Sequence, residues 1–165
     1  MRYLQEVAGN YTQTEADMTQ HLLTSPFLHV DETLLNIDHI NQYVWVLTNG
    51  TYVIFKYTKT RDAAFIHEFL KDYTGILVAD FYPGYDALTC LQQKCLVHLI
   101  RDINNDLYAN PFDGEFEVFV RVVKDLFLPI MAAIQRYGLR KRHLRKFNKH
   151  VETFYKTVIH HTVYK

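Results

Sequence analysis

Residues 75–88, GILVADFYPGYDAL, constrain this chain more than any other stretch. A short apolar run, Ile76, Leu77 and Val78, leads into one acid, Asp80, and then into an aromatic turn bearing Pro83 and Gly84. The pattern predicts a buried strand whose C-terminal end presents a single carboxylate to a loop. In open α/β sheets that end of the strand is where ligands bind. A carboxylate so placed calls for a partner acid, and the segment Leu28-His29-Val30-Asp31-Glu32-Thr33 offers Asp31. Asp31 and Asp80 are read as neighbours that hold a divalent metal. The plain alternative is a pair of ordinary strand-end acids that cap turns.

The remaining elements follow from periodicity. Residues 1–24 are polar with scattered apolar positions (Leu4, Val7, Met18, Leu22, Leu23) and read as helix, stopped by Ser25-Pro26 because the residue before proline leaves the helical region. Phe27–Ile37 reads as a first strand and Asp38-His39 as a turn. Residues 43–47, YVWVL, are β-branched and aromatic and read as a second strand. Asn49-Gly50 is the dipeptide of two-residue type I′ hairpins, returning the chain as a third strand over 51–57. Residues 59–73 switch to helical period, with Ala63, Ile66, Phe69 and Leu70 on one face and Asp62 near the positive end of the dipole. Gly75 is placed to end that helix. A short helix over 86–91, a fifth strand over 94–100 and helices over 101–108, 116–137 and 139–163 complete the reading, with Gly138 separating the last two.

Three antiparallel strands, a helical crossover to a parallel strand, another strand and then helices is the order of a ribonuclease H-like mixed sheet followed by a C-terminal helical segment. The expected organisation is an N-terminal helix or linker (1–24), a catalytic core (25–109) and a basic helical segment (110–165). If the strand ending at Asp80 lies beside the first strand, Asp31 and Asp80 meet although 49 residues separate them.

At 165 residues the chain can bury a core of its own, and 48% hydrophobic residues argue against disorder. No apolar run approaches the roughly 20 residues of a membrane span, and the start carries no signal-peptide pattern. Two cysteines, Cys90 and Cys95, make no disulfide framework, so a reduced, cytoplasmic protein is expected. The formal net charge of zero hides a split. Through Gln135 there are 9 basic and 17 acidic residues; from Arg136 onward 9 basic residues stand against Glu152 alone. Such asymmetry points toward nucleic acid.

Two carboxylates on neighbouring strands suit hard cations such as Mg²⁺, which takes oxygen ligands and keeps several waters. Phosphoryl transfer uses such ions to stabilise attacking and leaving oxygens. Glu32, next to Asp31, points to the opposite face of a strand and reads as solvated or as a support rather than a ligand. Cys95 and His98 have the spacing of half a zinc site, but no second pair exists and on a strand they face opposite sides. Tyr82 and Tyr85 could stack on nucleic acid, or an aromatic turn could close the core with them. The densest positive charge is RYGLRKRHLRKFNKH, residues 136–150, where Arg136, Arg140, Lys141, Arg142, Arg145, Lys146 and Lys149 could bind phosphate. The alternative there is a solvated helix with Leu139, Leu144, Phe147 and Val151 turned inward.

The blocks SPFLHVDET, VWVLTN, KTRDAA, GILVADFYPGYDAL and KCLVHLIRDINNDL resemble, in order and spacing, the DDE transposases of the insertion sequence 66 family. The resemblance implies a ribonuclease H-like catalytic core in which Asp31 is the first catalytic acid and Asp80 the second, with Cys95 and His98 supporting the site. It further implies Mg²⁺ or Mn²⁺, and a bacterial enzyme that cuts and rejoins DNA at the ends of a mobile element. There water, and then a DNA 3′-hydroxyl, attacks the phosphodiester. The family's third acid is a glutamate in a late Asn-x-x-Glu motif, and no Asn-x-x-Glu occurs here. The expectation is therefore a truncated transposase core, catalytically incomplete alone, that binds element ends and target DNA and associates with itself or with full-length transposase. A non-catalytic DNA- or transposase-binding module is the second reading. A third is an unrelated nuclease drawing its third acid from Asp102 or Asp106.

Overall fold

The computed structural model describes residues 2–159, in two compact units, Met1–Arg101 and Asp102–Lys165. The first unit opens with helices α1 (Arg2–Asn10) and α2 (Thr12–Leu23). Strands β1 (Phe27–Ile37), β2 (Ile40–Thr48) and β3 (Val53–Thr58) follow, then α3 (Ala64–Leu70), β4 (Ile76–Ala79) and β5 (Leu91–Lys94). Helix α4 (Leu96–Ala109) crosses from the first unit into the second. The second unit continues with α5 (Gly114–Tyr137), α6 (Lys141–Leu144) and α7 (Asn148–Phe154). The helix expected to reach Val163 is broken into short pieces after Gly138, and its last residues lie outside those described.

The five strands form one sheet in the order β3-β2-β1-β4-β5. β1 pairs antiparallel with β2, and β2 with β3, while β1–β4 and β4–β5 are parallel. This is the ribonuclease H-like mixed sheet that the order of elements implies. One face is covered. Leu28 and Val30 of β1, Trp45 and Leu47 of β2, Ile54 of β3, and Leu77 and Ala79 of β4 bury there with Leu22, Ile66, Leu70, Tyr73 and Tyr85. Each such Leu or Ile is worth about 1.5–3 kcal/mol over leaving it in water. The opposite face carries Phe27, Phe55, Tyr57, Ile76 and Leu91, all exposed.

Local turns differ from the sequence reading in an instructive way. The two-residue turn sits at Asp38-His39, where φ is 50° and 65°, the double positive φ of a type I′ hairpin. Asn49-Gly50 instead belongs to a four-residue loop. Asn49 Oδ1 accepts hydrogen bonds from the Thr51 and Tyr52 N–H groups (3.0 and 2.9 Å), and β3 starts at Val53 rather than Thr51. An asparagine that bonds the backbone ahead of it competes with the tight turn its dipeptide would otherwise favour.

The strand read over 94–100 is a helix. The Cys95 N–H donates to Ala79 O (2.7 Å), ending the ladder, and the Leu99 N–H donates to Cys95 O (3.0 Å), closing the first turn of α4. Leu96, Leu99 and Ile100 satisfy a helical period as well as a buried strand, an ambiguity that short apolar runs always carry. The fifth strand lies just upstream, where a short helix was read over 86–91; only a 3₁₀ turn forms nearby, at Pro83–Tyr85. α3 is half the length of the 59–73 segment read as helical, with Asp62 Oδ1 accepting from the Ala64 N–H (2.9 Å) at its start.

Within the second unit, α5 is capped by Asp113, whose side chain accepts from the Phe116 N–H (2.9 Å), and it carries Pro129 in its interior. α5 and α7 leave a groove of about 680 Å³ lined by Val122, Leu126, Pro129, Phe147 and Phe154. Leu139, read as facing inward, is exposed.

Leu77→Ala should lower the stability of the chain by about 2–5 kcal/mol, because the fully buried side chain leaves a cavity between sheet and helices. Leu91→Ala, on an exposed strand, should change it by less than about 1 kcal/mol. Urea unfolding followed by Trp45 fluorescence checks both.

Candidate active site

The parallel ladder between β1 and β4 pairs Phe27 with Ile76, Leu28 with Leu77 and His29 with Val78. Carried two residues further, the same offset sets Asp31, in the middle of β1, level with Asp80, immediately past the end of β4. Side-chain alternation puts Asp31 on the open face with Phe27, and Glu32 on the covered face with Leu28 and Val30. The Asp31 side chain is 58% exposed and that of Asp80 is 21% exposed. Asp80 Oδ1 accepts from the Tyr82 N–H (2.9 Å), which fixes the carboxylate as the chain leaves β4. Asp31 Oδ1 accepts from the Glu32 N–H (3.0 Å).

His98 reaches Asp31 from the first turn of α4, with Nε2 3.9 Å from Oδ2. Cys95 immediately precedes that helix, so the pair separated by three residues shares one side of a helical turn and does not straddle a strand. Burial alone would raise the Cys95 thiol pKa. The His98 N–H, the His98 imidazole and the Val97 N–H outweigh that effect and bring it below its ordinary value. Among the described residues, His98 Nδ1 is buried with no N or O hydrogen-bond partner, and the imidazole's other neighbour is the Cys95 thiol. Asp102 and Asp106 lie further along α4, the helix that follows β5.

Glu32 is not solvated. Its side chain is only 3% exposed, and both of its oxygens are occupied. Oε1 accepts from Arg61, at 2.7 Å from Nε and with a second contact from Nη2, while Oε2 accepts from the Tyr85 hydroxyl (2.6 Å). The guanidinium lies over the Tyr82 ring, 4.2 Å from its centroid, and the Tyr82 hydroxyl donates to Arg61 O (2.7 Å). Arg61 Nη2 also stands 4.0 Å from Asp80 Oδ2. Burial works to lower the Arg61 pKa, but the Glu32 hydrogen bond and the charges of Glu32 and Asp80 raise it overall. Tyr85 is fully buried, edge-on to Trp45 and Tyr82, so it closes the core and offers no stacking surface. Its phenol is pushed far above the ordinary range, first by burial and then by the Glu32 hydrogen bond and the nearby carboxylates. The turn that carries it is tied down by His67, whose Nε2 donates to Gly84 O (2.7 Å).

Arg61 is the member of this cluster that the sequence reading leaves without a role, and Tyr85, read there as stacking on nucleic acid or closing the core, closes the core and also bonds Glu32. The signal for them was Glu32 itself: an acid on the inward face of a buried strand requires a cation and a donor. Among the described residues no three His, Cys, Asp or Glu side chains converge as a metal site. Asp31 and Asp80 both carry carboxylates, the oxygen-donor chemistry that a Mg²⁺-type ion retaining several waters takes. In the second unit, Arg136, Arg140, Lys141, Arg142, Arg145, Lys146 and Lys149 are all exposed.

The sequence pattern of the Transposase IS66 family matches residues 1–161. Comparison with the curated proteins finds no match. Among solved structures, a chain of the simian T-cell lymphotropic virus intasome in complex with PP2A regulatory subunit B56 gamma is similar at TM-score 0.35 and 14% identity. That match covers 59% of this chain and 47% of that one, so the chain spans about half the length of that relative. The HTLV-2 integrase catalytic core domain in complex with magnesium, in its trimeric form, is similar at TM-score 0.31 and 15% identity over 61% of this chain and 83% of that one. No helix among the described residues is long and apolar enough to cross a membrane.

The Tyr85 phenol supplies a pH test. Its folded-state pKa lies above the ordinary 10.0, so its contribution to stability is complete below pH 10 and drains away as pH climbs from there toward the folded-state value. Tyr85→Phe should make the alkaline loss shallower by about 1.4 kcal/mol per pH unit, one proton's worth. Urea unfolding between pH 8 and pH 11 measures the slope.

Proposed function

The chain belongs to the IS66 transposase family, and from that membership together with the site geometry we propose that it is the catalytic core of a DNA transposase. The reaction is divalent-metal-dependent phosphodiester cleavage and strand transfer at the ends of a mobile element. The observation that supports this reading is the parallel β1–β4 register, whose offset, carried two residues past its last pair, sets Asp31 level with Asp80.

Asp31 and Asp80 are the residues that would hold Mg²⁺ or Mn²⁺. When bound, such an ion polarises the scissile phosphate and makes water or a 3′-hydroxyl a better nucleophile at neutral pH. The chain's own groups prepare that site. Asp31 within β1 and Asp80 immediately past β4 are anchored to the sheet, which holds carboxylates better than loops do. Tyr82, through its backbone N–H, fixes one oxygen of Asp80, while the other stands 4.0 Å from Arg61 Nη2. His98 stands beside Asp31 as its orienting partner, and Cys95 holds the start of the helix that carries His98. Exposed Arg136, Arg140, Lys141, Arg142, Arg145, Lys146 and Lys149 bind the phosphates of element-end or target DNA in the cytoplasm, at the nucleoid. The active assembly contains further copies of this chain or full-length transposase.

With no Asn-x-x-Glu in the sequence, the chain alone supplies two acids of three and cleaves DNA little or not at all. The same exposed basic segment favours a second reading, a non-catalytic module that binds DNA or a full-length transposase.

Asp31→Asn and Asp80→Asn should each weaken Mn²⁺ binding by about tenfold or more while leaving the melting transition cooperative. Equal binding by both variants, measured by calorimetric titration, would contradict the site. A gel-shift series over rising salt tests the basic segment. Replacing Arg140, Lys141 and Arg142 together by glutamine should flatten the log–log salt slope by about 0.9 for each phosphate no longer neutralised. If binding falls with unchanged slope, those residues do not touch phosphate. Binding without Mg²⁺ dependence or any nicking supports the second reading, and Mg²⁺-dependent nicking abolished by Asp80→Ala supports the first.

A further inference from the structure

We propose that Glu32 is a positioning residue for Asp80 that acts through Arg61: it holds the guanidinium off the Asp80 carboxylate and so keeps that carboxylate open to a divalent cation. The inference rests on the reading of Asp80 as a cation ligand.

A carboxylate as buried as Glu32 persists as a charge only with a cation and hydrogen bonds around it. It has both, from Arg61 on Oε1 and from the Tyr85 hydroxyl on Oε2 (2.6 Å). With both oxygens engaged, Glu32 is unsuited to ligate a metal, although it adjoins Asp31. Its effect falls on Arg61. The guanidinium is held by Glu32 at hydrogen-bond distance, yet stands 4.0 Å from Asp80 Oδ2, the outer limit of an ion pair. The Tyr82 ring, 4.2 Å from the guanidinium carbon, and the Tyr82 hydroxyl, on the Arg61 carbonyl, keep the arginine in that place. Asp80 Oδ1 is taken by the Tyr82 N–H, so the oxygen nearest Arg61 is the freer one.

Those two carboxylates are the ion partners of Arg61 among the described residues. Without the charge of Glu32, the guanidinium has Asp80 left to pair with. A guanidinium–carboxylate pair is a strong, charge-assisted interaction, and a divalent ion would then have to displace it. With Glu32 in place, the Glu32–Arg61 pair is neutral and repels an incoming cation little.

The test is a charge-removal cycle in the full chain, read by Mn²⁺ binding in solution through electron paramagnetic resonance, with no DNA and no turnover. Glu32→Gln preserves shape and an acceptor for Tyr85; it should weaken Mn²⁺ binding by about tenfold, the lower end of what partners of metal ligands are worth. The double variant Glu32→Gln with Arg61→Gln removes the freed cation and should return to within about threefold of the parent. Should the double variant stay as weak as Glu32→Gln, or should Glu32→Gln bind like the parent, the proposal is overturned. If Glu32→Gln does not melt cooperatively, the double variant, which leaves neither member of the ion pair charged, decides alone: parent-like affinity supports the proposal and a drop beyond about threefold overturns it. Asp80→Asn separates the two levels. If it binds Mn²⁺ like the parent, the underlying site reading fails; if it weakens binding while Glu32→Gln does not, only the positioning role of Glu32 fails.

Discussion

The structure depends on a short parallel ladder, three residue pairs long, between β1 and β4. Its register, carried two residues past the last pair, sets two acids 49 residues apart in sequence level with each other. A slip by one residue would send Asp31 to the face where Glu32 now lies, since side chains alternate along a strand. Several contacts outside the ladder pin it. The Ile76 N–H donates to Pro26 O (3.0 Å), continuing the pairing one step upstream. The Tyr73 hydroxyl donates to Ser25 O (3.2 Å), and Gly75 passes so close that a Cβ there would lie 2.8 Å from the same carbonyl. The glycine between α3 and β4 is thus required by a close approach that seats β4 against β1.

The two faces of the sheet divide the labour. On the covered face, Trp45, Leu47, Leu77 and Tyr85 supply the apolar burial that holds the strands together. Glu32 is the charged exception there, and its cost is offset by Arg61 and Tyr85. On the open face, Asp31 stands among exposed apolar residues of β1, β3 and β5. Adjacent positions of one strand therefore carry opposite duties: Asp31 stays accessible, and Glu32 is committed inward.

Much of this was legible in the sequence because it rests on local pattern. The run Ile76–Ala79 ending in Asp80, the bounds of β1 and the aromatic β2 all follow from alternation and β-branching. The order of elements matched a ribonuclease H-like sheet, in which the adjacency of β1 and β4 stood as a condition that the ladder meets. What escaped depends on competition between local signals or on contacts distant in sequence. KCLVHLI fits two periods, and only the bond from the Cys95 N–H to Ala79 O decides where the strand stops. Asn49-Gly50 carries a hairpin signal, but the asparagine side chain bonds forward and opens the loop. Arg61 sits 29 residues from Glu32, and no local pattern announces that a basic residue in an irregular stretch will reach a buried acid.

The central claim is that Asp31 and Asp80 share one divalent ion. Anomalous diffraction from crystals of this chain grown with Mn²⁺ addresses it directly. The account predicts one anomalous peak at about 2.0–2.3 Å from an oxygen of each aspartate, with Glu32 still on Arg61. A peak bound by Glu32, a peak touching only one of the two aspartates, or no peak at this rim under saturating Mn²⁺ would contradict it.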